Sequence, residues 1–226
     1  TKNENYVGII NNSINLNTFP FDDQYLRFDF KVENEFGFVP EIFIGSEDLI
    51  YTNLNNLKND EWNFISSDYG YGHHLLTEYD IRVPYLTIDF DVERKSSYYI
   101  YKIMVPIIFL LLVSWSTFWI NPKELESRVT VSIVCLLSLI AYNFVIDNDL
   151  PKLGYLTLMD KFVLMSYVFA GIPTLQTVLC RYFVDNDKLV KAEKIDKECQ
   201  IYIPASYFVS LTMLLIDYDV ITRLFQ

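Results

Sequence analysis

Glu126, Ser127 and Arg128 place an acid, a hydroxyl and a base at the start of an apolar segment that extends to Phe144. Within lipid, each polar group costs free energy unless it finds a partner, so a segment that served only as an anchor would not need these side chains. These residues leave two interpretations open. Either the segment packs inside a bundle of helices, or one of its faces meets water.

Two histidines and several acidic pairs are the other groups that could bind an ion. His73 and His74 are the only histidines, and adjacent strand residues point to opposite faces, so we do not expect both to hold one metal. Either could sense pH, because histidine titrates near neutrality. Paired carboxylates could bind Ca²⁺, whose ligands are oxygens, although most such pairs are solvated surface. The acidic pairs are Asp22/Asp23, Glu47/Asp48 and Asp60/Glu61.

Catalysis finds no support in the sequence. It contains no Gly-rich phosphate loop, no zinc motif and no ordered Ser/His/Asp set. We therefore predict that the protein is not an enzyme and needs no cofactor, with Ca²⁺ kept open as a modulator.

Charge divides the chain into two parts. Residues 1–97 carry seven Lys/Arg and 17 Asp/Glu, whereas residues 98–226 carry 11 and 12. The acidic first part lacks the basic face that a nucleic-acid partner requires. It suits a surface that concentrates cations.

Four long apolar segments follow in the second part. A bilayer core about 30 Å thick requires roughly 20 helical residues to cross it. We predict four membrane-spanning helices, at about 98–120, 126–147, 158–183 and 199–225.

Basic residues set the predicted orientation of these spans. They concentrate in the short connections 121–127 and 184–198, which the positive-inside tendency places inside. Residues 1–97 then lie outside, in an extracellular or periplasmic domain of a multi-pass plasma-membrane protein.

Alternation of apolar and polar residues at period two predicts half-buried strands in the first part. The composition of "DYGYGHH" (68–74) predicts a loop. The expected strands of an antiparallel sheet are 25–32, 41–45, 61–68 and 85–94.

Several motifs together resemble the pentameric ligand-gated ion channels, the Cys-loop receptor superfamily. They are "FPFDDQ" (19–24), a strand ending in Arg94, Pro106 in the first span, "NDLP" (148–151) and a short basic link before the fourth span. These motifs occur across the whole chain in the family's order.

The resemblance implies an immunoglobulin-like β-sandwich followed by a four-helix bundle. Residues 1–97 would hold only the C-terminal part of the sandwich, so we expect an earlier portion to precede Thr1. Animal members close the "FPFD" loop with a disulfide, whereas the three cysteines here are Cys135, Cys180 and Cys199. The chain therefore resembles the prokaryotic branch.

In this family the second span from each of five subunits lines a central pore. Matching "NDLP" to the family pattern places seven residues on the pore side, and at about 100° per residue they fall within an arc of about 80°. Ser132 and Asn143 lie on the opposite side, where hydrogen bonds to neighbouring helices are expected. The implied pore-lining residues are Glu126, Thr130, Val134, Leu137, Ala141, Phe144 and Asn148.

The order of side chains along this stripe implies a cation channel. A ring of Glu126 favours cations and repels anions, and Thr130 offers a hydroxyl to a partly dehydrated ion. Leu137, Ala141 and Phe144 form an apolar constriction that resists wetting, which implies the gate. In the alternative interpretation, Glu126 is a solvated acid paired with Arg128.

The resemblance also implies residues that couple the two domains. An ion pair between Asp22 and Arg94, partly shielded by aromatic rings, would be stronger than an exposed pair. In the alternative, Asp22 only forms a turn. The coupling residues are Phe19, Pro20, Phe21, Asp22, Arg94 and Pro151.

Tyr69 and Tyr71 are the candidates for agonist contacts, because the family binds agonists under a flap that matches "SDYGYGHHLLTEY" (67–79). Aromatic faces suit organic cations. Packing within the loop is the alternative role for both tyrosines.

The sequence thus predicts a subunit of a cation-selective homopentamer in a bacterial inner membrane. Its expected partners are further copies of itself, lipids, monovalent cations and a small-molecule, proton or divalent-ion effector. A non-conducting four-span sensor or binding module, with its helices packed as a solid bundle, is the alternative.

Overall fold

A computed structural model of the chain describes residues 14–31, 61–76, 81–147 and 153–218. The chain forms two compact units. The first contains Thr1–Asn15 and Phe21–Lys95, and the second contains Leu16–Pro20 and Ser96–Gln226. The backbone therefore enters the second unit twice.

The first unit contains a three-stranded antiparallel sheet. Its strands are β1 (Asp23–Lys31), β2 (Trp62–Leu76) and β3 (Ile81–Arg94), with β3 in the centre. Both outer strands pair with β3. Three of the four predicted strands lie in this sheet, and the predicted strand at 41–45 lies outside the described residues.

The loop predicted at 68–74 is wrong, because β2 continues through it to Leu76. Gly70 pairs with Thr87 and Gly72 with Tyr85. A Cβ atom at Gly70 would lie 2.6 Å from the Thr87 Oγ1, and one at Gly72 would lie 2.7 Å from the Tyr85 hydroxyl oxygen. The glycines therefore make room for side chains on the neighbouring strand.

The sheet has one apolar and one polar face. Phe28 pairs with Ile88, and the Phe28 ring lies 5.3 Å from the Phe90 ring. On the other face, Arg27 pairs with Asp89. The described side chains of the apolar face are only partly covered, and in a sandwich a second sheet would pack over this face.

Among its described residues, the second unit contains four helices that are long and apolar enough to cross a membrane. The first, α1, has a π-helical turn at Ile100–Met104, just before Pro106, which lacks a backbone N–H. The helices are α1 (Ser97–Trp119), α2 (Leu125–Asp147), α3 (Leu158–Asp185) and α4 (Leu189–Asp217). The predicted fold class, part of a β-sandwich followed by a four-helix bundle, is confirmed.

The fourth helix begins ten residues before the predicted position 199, and most of the predicted link 184–198 is helical. Only residues 186–188 separate α3 from α4, and Asp187 adopts a left-handed conformation with φ 58°. Hydropathy located the apolar part of the helix but not its start, since Lys, Glu and Ala also favour helix in a charged stretch. The predicted end at 225 lies outside the described residues.

The bundle core forms where all four helices meet. Ile107 and Leu111 of α1, Leu139 of α2 and Phe162 of α3 are buried. Trp115 and Tyr207 bring α1 and α4 together with ring centroids 5.4 Å apart, and the Tyr207 hydroxyl lies 3.1 Å from that of Ser166 in α3.

Candidate pore helix and buried ion pairs

Helix α2 has one buried and one exposed face. Arg128, Ser132, Cys135 and Leu139 recur at intervals of three or four residues and are all buried within the bundle. This spacing keeps them on one side of a helix with 3.6 residues per turn. Six of the seven predicted pore-lining residues lie on the exposed side, and Asn148 lies outside the described residues. The six are Glu126, Thr130, Val134, Leu137, Ala141 and Phe144.

The exposed face of α2 changes character along its length. It begins with Glu126 and Thr130 and continues with apolar side chains, of which Leu137 is 58% and Phe144 is 69% exposed. Ile133 and Ile140 are also exposed, so the band is wider than predicted. The arrangement provides charge at one end and an apolar surface over the remaining turns.

Helix α4 leaves even more surface uncovered, and its exposed side chains differ from those of α2. Only 6% of its most apolar stretch is buried within the chain, whereas the corresponding share for α2 is 22%. Ile201, Val209 and Met213 are among its exposed apolar residues. Such a surface suits contact with lipid, whereas an acid followed by a hydroxyl does not.

Arg128 lies wholly buried beside Asp196 of α4, with 2.7 Å between its Nη2 and the Asp196 Oδ1. Residues two positions apart in a helix differ by about 200° around its axis, so Arg128 points away from Glu126. The alternative interpretation in which Glu126 pairs with Arg128 is therefore wrong. Glu126 is exposed and Arg128 is bound elsewhere.

Polar groups from all four helices surround this pair. The Arg128 Nε donates to the carbonyl of Thr117 at 3.0 Å. The side-chain amide of Gln176 donates to the same Asp196 Oδ1, and the Cys180 Sγ lies 3.4 Å from that oxygen. Within the described residues, the Arg128 Nη1 and the Gln176 Oε1 have no hydrogen-bond partner. We call these five residues the bundle-end cluster.

The sequence predicts that Ser132 hydrogen-bonds to a neighbouring helix, but the hydrogen bonds of its side chain among the described residues lie within α2. Its hydroxyl donates to the carbonyls of Arg128 and Val129, at 3.0 and 3.2 Å, within its own helix. A serine can satisfy its hydroxyl in this way without a partner from another helix. Asn143 is half-buried.

The predicted ion pair between Asp22 and Arg94 is present in the first unit. The Arg94 Nε and Nη2 lie 2.7 and 3.3 Å from the two carboxylate oxygens of Asp22. Gln24 donates to the same carboxylate at 2.7 Å, and the guanidinium lies 4.1 Å from the centre of the Trp62 ring. Both charged side chains are nearly buried.

Residues 16–20 bind the start of α3 within the second unit. The backbone N–H groups of Leu158 and Met159 donate to the carbonyls of Asn17 and Phe19, at 2.9 and 3.2 Å. The first N–H groups of a helix have no partner inside it, so these carbonyls satisfy them. Thr157 completes the helix start by accepting from the N–H of Asp160.

The predicted coupling residues divide between the two units. Phe19 and Pro20 are buried in the second unit, where the Phe19 ring packs edge-on against Tyr99 with centroids 4.7 Å apart. Phe21, Asp22 and Arg94 belong to the first unit. Pro151 lies outside the described residues.

Tyr69 and Tyr71 lie in β2 rather than in a loop. They pair with Ile88 and Leu86, so they share the apolar face of the sheet. Tyr71 is about half exposed, and its ring lies 5.6 Å from that of His73. The two tyrosines thus present aromatic surface side by side on one face.

An exposed ion pair crosses the polar face of the sheet. The Arg27 Nε and Nη2 donate to the two oxygens of Asp89 at 2.8 and 3.0 Å. These hydrogen bonds lower the pKa of Asp89. The hydrogen bond with Asp89 raises the pKa of Tyr25, which also accepts from Arg27 at 2.9 Å.

Metal binding has no preformed site in the part of the chain that the structure describes. No group of three or more His, Cys, Asp or Glu side chains is placed there to hold an ion. Of the acidic pairs predicted for Ca²⁺, Glu47/Asp48 lies outside the described residues, as does Asp60. Asp22 is already bound to Arg94.

The sequence interpretation missed Asp196 and Gln176. Gln176 is a polar residue within the apolar third span, which is a detectable signal because such groups are costly in lipid. Asp196 stands in a run of charged residues, "KAEKIDKE" (191–198), and nothing in the pattern separates it from its neighbours.

Comparison with known proteins agrees with this architecture. Residues 103–201 match the family described as the neurotransmitter-gated ion-channel transmembrane region. The gamma-1 subunit of the gamma-aminobutyric acid receptor from Rattus norvegicus is 30% identical over 103 residues, covering 46% of this chain and 22% of the relative. A proton-gated ion channel from Gloeobacter violaceus is 26% identical over 119 residues, covering 53% and 33%. The matches thus cover about a fifth to a third of the length of these relatives.

Proposed function

Since residues 103–201 match the neurotransmitter-gated ion-channel transmembrane region, we propose that the protein belongs to the pentameric ligand-gated ion channels of the Cys-loop receptor superfamily and is a subunit of a homopentameric, cation-selective channel. Helix α2 from each of five subunits lines the pore. An effector bound by the part that precedes α1 opens it.

The exposed face of α2 is the observation that carries this proposal. In a solid bundle this face would lie against lipid, where an exposed acid and hydroxyl at one end of an otherwise apolar face would cost free energy. Five copies arranged around an axis would bring these faces together and enclose a path for water. The lipid-facing surface of α4 then lies at the periphery.

The side chains along α2 support a division of labour within the pore. A ring of Glu126 concentrates cations, and Thr130 replaces part of the hydration shell of a passing ion. Leu137, Ala141 and Phe144 narrow the path with apolar side chains and close it by excluding water. Monovalent cations are the proposed permeant ions.

We propose that the effector is positively charged: an organic amine, a proton or a divalent ion. Tyr71 exposes its aromatic ring beside the half-buried Tyr69 on one face of β2, and such rings attract organic cations. The acidic balance of residues 1–97 favours cations in general. The relative from Gloeobacter violaceus is a proton-gated channel, which supports testing protons first.

Cation flux through reconstituted protein tests the function directly. Vesicles containing the complete protein should release trapped monovalent cations when pH, calcium or an organic amine is changed. Flux in none of these conditions would favour a non-conducting sensor. Native mass spectrometry of the complex should give five copies.

Cysteine accessibility tests which helix lines the pore. In a background with the three native cysteines replaced, T130C, L137C and F144C should react with small aqueous thiol reagents. V209C and M213C provide the matched control, because these positions of α4 are equally exposed in the single chain but are proposed to face lipid. Equal reactivity on both helices, or none on α2, would contradict the proposal.

A further inference from the structure

We propose that Asp196 is a positioning residue for ion selectivity, because it holds and neutralises Arg128 and so leaves the mouth of the pore acidic. The inference rests on the proposed cation channel. It assigns a role in selectivity to a residue of α4, a helix that is proposed to face lipid and not to line the pore.

The charges near the start of α2 explain why this matters. Lys123, Glu124, Glu126 and Arg128 carry two positive and two negative charges, which cancel in the sequence. In the structure the first three are exposed, whereas Arg128 is wholly buried. The first turn of α2 and the residues just before it therefore present two acids and one base to water in each subunit.

Burial alone would not remove the effect of Arg128. A charge in a low-dielectric interior is poorly screened, so its field would reach the exposed face of the same helix. The carboxylate of Asp196, at 2.7 Å, supplies an opposite charge that cancels this field at a distance. Within the described residues, Asp196 is the one carboxylate paired with Arg128.

The rest of the bundle-end cluster orients this carboxylate but cannot replace it. The Thr117 carbonyl and the Gln176 amide are neutral, and Gln176 donates to Asp196 rather than accepting from Arg128. Cys180 also lies against Asp196. Asn at position 196 would leave the shape of the cluster nearly unchanged and the guanidinium without its counter-charge.

Reversal potentials across a salt gradient test the inference with the complete channel in a bilayer. Wild-type protein must first conduct and prefer cations; failure there rejects the proposed function before any variant is compared. In D196N we expect the cation-to-anion permeability ratio to fall by about tenfold, the lower end of the effect of charged clefts on local ion concentration. An unchanged ratio in a conducting D196N channel would overturn the inference.

A matched control separates this effect from a general loss of charge. Asp185 forms an exposed pair with Arg181 in α3, with 2.9 Å between the Arg181 Nε and the Asp185 Oδ2 and about half of each side chain accessible. D185N removes the same charge from a solvated position and should leave the permeability ratio unchanged. A fall in D185N equal to that in D196N would also overturn the inference.

If D196N does not assemble, the double variant R128M/D196L tests whether the pair affects selectivity through its charge. It removes both charges and leaves the exposed acids untouched, so we expect restored assembly and a wild-type permeability ratio. A changed ratio would overturn the inference. So would failure to assemble, because the pair would then act in assembly and not through its charge.

Discussion

Two buried arginine–aspartate pairs, one in each unit, differ in how completely their charges are satisfied. The Asp22 carboxylate accepts hydrogen bonds from two nitrogens of Arg94 and from the Gln24 amide, and the Trp62 ring lies over the guanidinium. In the bundle-end cluster, the Arg128 Nη2 alone bonds to Asp196, and the Nη1 lacks a partner within the described residues.

This difference shows what each pair can tolerate. A buried pair is costly to break when the remaining partner is left charged and without hydrogen bonds. Asp22 would keep Gln24 as a donor if Arg94 were lost. Asp196 would keep the Gln176 amide and the Cys180 thiol if Arg128 were lost, but it is enclosed by four apolar helices, so its uncompensated charge costs more.

The largest effect should come from breaking the pair in the bundle. R128M leaves the buried carboxylate of Asp196 without a counter-charge, and we expect a loss of about 3–5 kcal/mol of stability. Thermal unfolding of the purified complex in detergent should show it as a lower Tm. R181M, which breaks the exposed pair in α3, should cost below about 1 kcal/mol; a comparable loss in both variants would refute the distinction.

A smaller effect should follow from R94M in the sheet. The Gln24 amide and the strand pairing of β1 with β3 remain, so we expect a loss of about 2 kcal/mol, within the range for hydrogen bonds to charged groups. The same unfolding measurement compares it with R128M. If R94M proved the more damaging of the two, the enclosure of Asp196 by apolar helices would not be what separates the pairs.

Replacing Asp22 by the isosteric asparagine should change gating more than stability. We expect D22N to shift the effector concentration for half-maximal current by about tenfold, the equivalent of roughly 1.4 kcal/mol, because Asp22 lies two residues beyond the segment that binds α3. The permeability ratio should remain that of the wild type, unlike in D196N. D23N is the control at the exposed neighbouring acid; wild-type responses in D22N would argue against a coupling role.

The exposed pair of Arg27 and Asp89 should give the smallest effect. The pKa of Asp89 is lowered in the folded state, so its contribution is present above the unfolded value of about 3.9 and is lost as pH falls through the lower folded value. D89N should therefore be slightly less stable than wild type at pH 7 and equal to it near pH 2. A difference that persists or grows in acid would reverse the assigned sign.

Local patterns account for most of the fold. Runs of about 20 apolar residues revealed the four spans, and alternation revealed β1 and β3, because length and period reflect the solvent on each side of one segment. The Asp22–Arg94 pair came from the resemblance, which joined positions 72 residues apart. The strand at 68–74 escaped prediction because Gly70 and Gly72 signal a turn unless Thr87 and Tyr85 are seen opposite them.

The sequence by itself determined that this is a four-span protein with a sheet before the spans, and it marked one face of α2 as unlike the other. Only the tertiary structure decided which charges at the start of that helix reach water. Arg128 and Asp196 are 68 residues apart, with α3 between them in the chain, and their pairing depends on how α2, α3 and α4 pack together. The four charges of residues 123–128 cancel along the chain, but only two acids and one base of this set reach water in the folded bundle.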